Sequence, residues 1–248
     1  MEDIAKFIEG FREFKANYFA EGRGPGRLLF DRLREGQRPR SLIIGCSDSR
    51  VDPAILFGCD PGDLFVVRNV ANLVPPCEEG KGYHGVSAAL EFGVLTLEVR
   101  HIIVLGHAHC GGIGALMSGQ CAFSSAGFIE NWMKIADSAL EKAKSELPGG
   151  TPEELARACE QAAILVSLEN LRTFPWIRAR VDAGLLMLVG WYFDIVWPRT
   201  RGKRSPLHPL DPVRMEAKSW RASPAGFITT WPPPLTPPLK IRGGWGAL

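Results

Sequence analysis

Ser41-Leu-Ile-Ile-Gly-Cys46-Ser-Asp48-Ser-Arg50 and, some sixty residues on, His101-Ile-Ile-Val-Leu-Gly106-His107-Ala-His109-Cys110-Gly111-Gly112 follow one plan. Each is a short apolar, β-branched run that changes abruptly to small and polar residues. The apolar part reads as a strand buried on both faces, which suits a parallel sheet. Leu64-Phe-Val-Val-Arg68 and Leu185-Leu-Met-Leu-Val189 read the same way.

The segments around these strands have helical spacing. Val86, Ala89, Leu90, Gly93, Val94 and Leu97 form one helical face, and Phe128, Trp132, Ile135, Ala136 and Ala139 form another within 128–146. Thr151-Pro-Glu-Glu154 has the form of a capping box with proline at the first helical position, and starts helices that run towards Phe174. Upstream, Ile4, Phe7, Ile8, Phe11, Phe14 and Tyr18 predict an amphipathic helix over 3–19, broken by Gly22, Gly24, Pro25 and Gly26. Strands alternating with helices give an α/β fold: a central, mainly parallel sheet flanked by helices, with an N-terminal amphipathic helix. No internal repeat is visible.

Of 248 residues, 46% are apolar and 23% charged, which excludes a disordered or fibrous chain. No run of 18 apolar residues occurs, so no spanning helix is expected. The acidic, amphipathic start MEDIAKFIEGF lacks the pattern of a signal peptide, and a cytoplasmic protein is expected. Six cysteines in a reducing compartment then read as thiols or metal ligands.

The net charge of +2 conceals an asymmetry. Residues 1–196 carry 20 Lys and Arg against 25 Asp and Glu, whereas 197–248 carry 9 against 2 and hold 10 of the 19 prolines. A boundary is therefore drawn near Asp194 to Trp197, with a folded domain over 1–196 and a Pro/Arg-rich, disordered tail over 197–248. Neither part has the basic core of a nucleic-acid binder, so no nucleic-acid partner is expected.

In open α/β sheets ligands sit beyond the carboxyl ends of the strands, where both polar motifs fall. Cys46, His107 and Cys110 offer two soft thiolates and an imidazole, the donor set of a tetrahedral zinc site. Asp48 can add a fourth oxygen ligand or leave that position to water. Cys59, Cys77, Cys121 and Cys159 have no partner spacing and read as buried or free thiols. His84 and His101 likewise have no supporting context.

C-S-D-S-R followed by G-H-x-x-C-G-G resembles the β-class carbonic anhydrases. The likeness continues in Val66-Val-Arg-Asn-Val-Ala-Asn72, in Ser87 to Val94, in Ser167 to Trp176 and in Gly190-Trp-Tyr-Phe-Asp194, covering about residues 3–196. The resemblance implies a zinc enzyme, with one Zn2+ per chain, that interconverts CO2 and bicarbonate. It also implies a homodimer or tetramer with active sites at subunit interfaces. Zinc on Cys46, His107 and Cys110 would generate hydroxide near neutral pH. If Asp48 ligates zinc, the metal is closed; if Arg50 holds Asp48 as a bidentate pair, the fourth position opens to water.

By the same resemblance, Gln37 donates a hydrogen bond to a substrate oxygen, and Gly111 offers a backbone N–H where a side chain would intrude. Phe65, Val70 and Phe92 match positions lining the apolar pocket, although many members carry tyrosine at Phe92, and core packing explains all three as well. Arg68 reads as structural or as a pocket-edge charge. His109, beside a ligand, has the pKa range of a proton shuttle. Ile43 stands where members with a non-catalytic bicarbonate site carry tryptophan, which implies that this regulation is missing. Two other readings keep the metal: a hydrolase of carbonyl sulfide or carbon disulfide, and a non-catalytic zinc protein. The likeness stops inside a structural element after Ile195, which points to a shifted reading frame; a proline-rich interaction tail is the other reading.

Overall fold

Four strands stack in parallel in the computed structural model, which describes residues 2–19, 25–78, 80, 82–122, 124–195 and 207–210. They are β1 (Ser41–Cys46), β2 (Leu64–Asn69), β3 (His101–His107) and β4 (Met187–Phe193), and a short antiparallel strand, β5 (Leu207–Pro209), follows. The order across the sheet is β2-β1-β3-β4-β5. Alternation along β1 explains why an unbroken apolar run was needed. Leu42 and Ile44 pack with Leu90, Val94, Ile102, Val104 and Ile164, while Ile43 packs with Ile103 and Leu105 in a second cluster. Both faces of the strand are dry.

The helices in chain order are α1 (Glu2–Phe19), α2 (Pro25–Leu33), α3 (Pro53–Phe57), α4 (Gly85–Glu91), α5 (Gly111–Ser118), α6 (Phe128–Met133), α7 (Asp137–Glu146), α8 (Pro152–Thr173) and α9 (Pro175–Asp182). Thr151 caps α8 through the reciprocal box with Glu154. That helix buries Cys159, Glu160, Ala162, Ala163, Ile164, Ser167 and Leu171. It lies so close to the sheet that a Cβ on Gly106 would come within 2.6 Å of Ile164 Cδ1. Phe14, Tyr18 and Phe30 join α1 to α2 with ring centroids 4.7 to 5.8 Å apart. Ile4, Phe7, Ile8 and Phe11 of α1 face outward, Phe7 at 67% and Phe11 at 64% exposure.

Three elements depart from the periodicity reading. The segment 128–146 is not one helix: a tight turn at Lys134–Ala136 separates α6 from α7. Three residues per turn there keep Met133, Ala136 and Ala139 buried together, which an unbroken 3.6-residue helix would rotate apart. The helical face from Val86 to Leu97 likewise opens after Glu91 into a wider, π-helical turn at Phe92–Thr96. The fourth strand starts later than the apolar run at 185–189 and continues through Trp191, Tyr192 and Phe193, which pair with Leu105, Gly106 and His107.

Composition placed all of 197–248 in a tail, yet the sheet draws β5 from it. Leu210 is buried there, and its N–H donates to the Gly190 carbonyl at 2.9 Å. Three residues of strand carry too little pattern to show in a sequence. The chain divides into a unit ending at Leu210 and a second, Asp211–Leu248, that lies outside the described residues.

Candidate metal centre

β1 and β3 are neighbours in register, so their carboxyl ends bring Cys46 and His107 together. Beyond β3 the chain turns at His109, with φ of 55°, and Cys110 becomes the N-cap of α5. Cys46, His107 and Cys110 are 5%, 1% and 4% exposed. One ligand atom from each lies within 4.8 Å of the others, and the two sulfurs are 4.0 Å apart. Tetrahedral zinc with Zn–S near 2.3 Å holds two thiolates about 3.8 Å apart, so the sulfurs stand close to the span required.

The protonation pattern fits a cation. His107 Nδ1 donates to the Ala108 carbonyl at 2.9 Å, leaving Nε2 as the bare lone pair. Nε2 is buried without a hydrogen-bond partner, a cost that a bound metal removes. The Cys46 thiol falls to about 4, chiefly through its hydrogen bond with Cys110, with help from His107 and the backbone N–H groups of Asp48 and Ala71 against the effect of burial. Cys110 is driven above the ordinary thiol range by the Cys46 sulfur and by burial. Burial lowers the pKa of His107, but the Cys46 thiolate outweighs this and raises it. Without a cation the pocket holds one thiolate comfortably and resists a second; a divalent ion relieves that conflict. Cys46, His107 and Cys110 therefore fit zinc.

Asp48 is turned to Arg50. Arg50 donates from Nε to Asp48 Oδ1 at 2.9 Å, from Nη2 to Oδ2 at 2.6 Å, and from its backbone N–H to Oδ1 at 3.0 Å. These bonds hold the Asp48 carboxyl well below the usual carboxylate range. Asp48 Oδ2 is 3.9 Å from His107 Nε2, beside the convergence of the ligands. Arg68 fixes the same loop by donating to the carbonyls of Cys46 and Asp48 at 2.9 and 2.7 Å and to Asp52 at 2.9 Å. That is a structural role. His109 is exposed at the turn.

Among the pocket candidates, Val70 is at hand. It opens the turn after β2, and a Cβ on Gly112 would come within 2.7 Å of its Cγ1. A Cβ on Gly111 would meet nothing within 4 Å. Phe65 and Phe92 pack against each other at 6.0 Å between centroids. Phe65 pairs with Leu42, four residues and about 13 Å of strand from Cys46. Gln37 is exposed and precedes β1, at the end of that strand opposite Cys46. One chain thus gathers Asp48, Arg50 and Val70 at the ligands but places Gln37 and Phe65 towards the other end of the sheet.

Sequence reasoning missed Glu160. It is 5% exposed on α8 and accepts from the Cys110 N–H at 3.1 Å and from the Tyr192 hydroxyl at 2.7 Å. Its one signal was position: a carboxylate on the same helical face as Ala163, Ile164 and Ser167.

Residues 41–197 match the family profile described as carbonic anhydrase. Beta carbonic anhydrase 5, chloroplastic, of Arabidopsis thaliana is 44% identical over 167 residues, 67% of this chain and 55% of that protein, so the chain spans little more than half of that relative. Among solved structures, the β-carbonic anhydrase CcaA aligns with a TM-score of 0.69 at 36% identity, covering 79% of this chain and 85% of that one. A tetrameric β-carbonic anhydrase of Sordaria macrospora aligns at 0.66 and 28% identity, covering 84% and 95%.

Proposed function

The chain belongs to the carbonic anhydrase family, in its β class, and on that premise we propose that it catalyses the reversible hydration of CO2 to bicarbonate and a proton at a zinc ion held by Cys46, His107 and Cys110. One observation carries the reading: three buried donors converge while the neighbouring carboxylate, Asp48, is already claimed by Arg50. When bound, zinc supplies a nucleophile near neutral pH by lowering the pKa of water in its open position. Arg50 keeps Asp48 ionised and off the metal side, and the carboxylate accepts a hydrogen bond from the incoming water and orients its lone pair. A structural zinc site needs no such pair.

Gln37, Phe65 and Phe92 complete the pocket in a second copy of the chain, giving a homodimer or tetramer. The outward apolar face of α1 supports this reading, as does the tetrameric Sordaria relative. Ile43 is fully buried, with Phe57 and Trp191 packed against its cluster, so the place where some members keep a regulatory tryptophan is filled by core. We infer that this regulation is missing and that Asp48 stays on Arg50 at neutral pH, in keeping with the ion pair between them.

Among the described residues no helix is long and apolar enough to cross a membrane. The cytoplasm is the proposed location, on the strength of six thiols without a disulfide partner. Stopped-flow CO2 hydration by the zinc-loaded chain and by Asp48→Asn tests the activity. Turnover that is lost in the variant while zinc is retained is expected; equal turnover in both would refute the role of the pair.

A further inference from the structure

The peptide unit joining His109 to Cys110 is held on both sides. Its carbonyl oxygen accepts from Arg50 Nη2 at 3.0 Å, and its N–H donates to Glu160 Oε1 at 3.1 Å. His109 has φ of 55°, a conformation that a non-glycine residue keeps only where its surroundings impose it. The turn therefore needs an anchor, and Glu160 is itself anchored. Its second oxygen accepts from the Tyr192 hydroxyl at 2.7 Å, and Tyr192 is fully buried with the Arg157 guanidinium 5.6 Å above its ring. Arg157 in turn pairs with Asp194. Both carboxylate oxygens of Glu160 are thus committed, which fixes the plane of the group.

A carboxylate buried on the inner face of α8 is costly, and the amide it serves could have been satisfied by a neutral acceptor. We propose that Glu160 is a positioning residue for the metal centre. With Arg50 on the opposite side it sets the orientation of the 109–110 peptide, and so aims Cys110 Sγ at Cys46 and His107. Cys110 opens α5 as its N-cap, so turning that peptide turns the residue that carries the sulfur. The inference rests on the reading of Cys46, His107 and Cys110 as zinc ligands, and not on the identity of the substrate.

The test uses the full chain with Glu160→Ala, Glu160→Gln and Tyr192→Phe. Zinc affinity is read by competition with a chelator, and the thiolate-to-metal absorption band is read after Co2+ loading. Glu160→Ala is expected to weaken zinc binding about 10- to 100-fold, the range for lost support of a ligand, and to shift the cobalt band. Glu160→Gln should restore both, because its amide oxygen can face the Cys110 N–H while its NH2 donates to Tyr192. Tyr192→Phe should give a smaller loss in the same direction, and it carries the test if Glu160→Ala does not fold. Wild-type affinity and spectrum in Glu160→Ala, or in Tyr192→Phe where the alanine variant is unfolded, would overturn the proposal. So would a glutamine variant as impaired as the alanine one. A wild-type chain that binds no zinc would instead remove the metal reading itself.

Discussion

Asp48 lies 3.9 Å from His107 Nε2 and within hydrogen-bond reach of Arg50, between two places that favour a negative charge. Arg50 holds it with three donors, counting its backbone N–H, and also grips the His109 carbonyl. Replacing Arg50 by alanine releases both contacts. Hydration is expected to fall at least about 100-fold, because the freed Asp48 no longer stands oriented towards the incoming water. Zinc affinity should weaken with the loss of the His109 contact, and stopped-flow rates beside metal analysis check both. The sign of the pH effect follows from the depressed Asp48 pKa: the carboxylate is ionised throughout the neutral range, and its pairing contributes stability above its unfolded pKa of about 4 that is lost in acid. A fall in activity between about pH 8 and pH 6.5 therefore belongs to another group. An R50A variant should lose part of its acid-side stability difference from wild type as pH drops below about 4 in urea titrations.

Chemistry carried by adjacent residues was legible at this scale. Cys46, Asp48 and Arg50 lie within one turn, and His107 and Cys110 within another. Glu160 was not legible, because its partner Cys110 is 50 residues away and only packing joins them.

Among the elements, strand cores and the start of α8 could be read directly, since β-branched runs and the Thr151–Glu154 box are local signals. The breaks at Lys134–Ala136 and Phe92–Thr96 could not, because both are set by which side chains fit the core beneath them. The two glycines opening α5 separate structure from chemistry. Gly112→Ala presses on Val70 Cγ1 at 2.7 Å and on the Ala71 Cβ at 3.1 Å, and should destabilise the protein by about 1–3 kcal/mol in denaturant titrations. Gly111→Ala meets nothing within 4 Å and should leave the midpoint unchanged. The substitution keeps the N–H, so turnover lost at constant stability would mean that the added Cβ enters the space the substrate uses.

For the whole molecule, composition placed a boundary near 196, while the folded unit continues to Leu210. The difference is β5, which covers the outer edge of β4 and brings Leu210 under Gly190. A chain ending at residue 210 should keep zinc and the melting temperature of the full chain. One ending at 196 exposes a sheet edge and loses Leu210, and should melt several degrees lower and aggregate more readily. Thermal scans of the two truncations decide the point. The division into a catalytic domain and a tail remains our proposal, as does the shifted reading frame after Ile195. Resequencing the gene tests the latter, and the absence of a family-like continuation in either other frame would refute it.

The most direct test of the central claim is zinc content measured together with stopped-flow CO2 hydration, on the same preparation, from about pH 6.5 to about pH 9. About one zinc per chain and turnover that rises with pH are expected. A chain that takes up no zinc, or one that holds zinc and hydrates no CO2 at any pH, would contradict the claim.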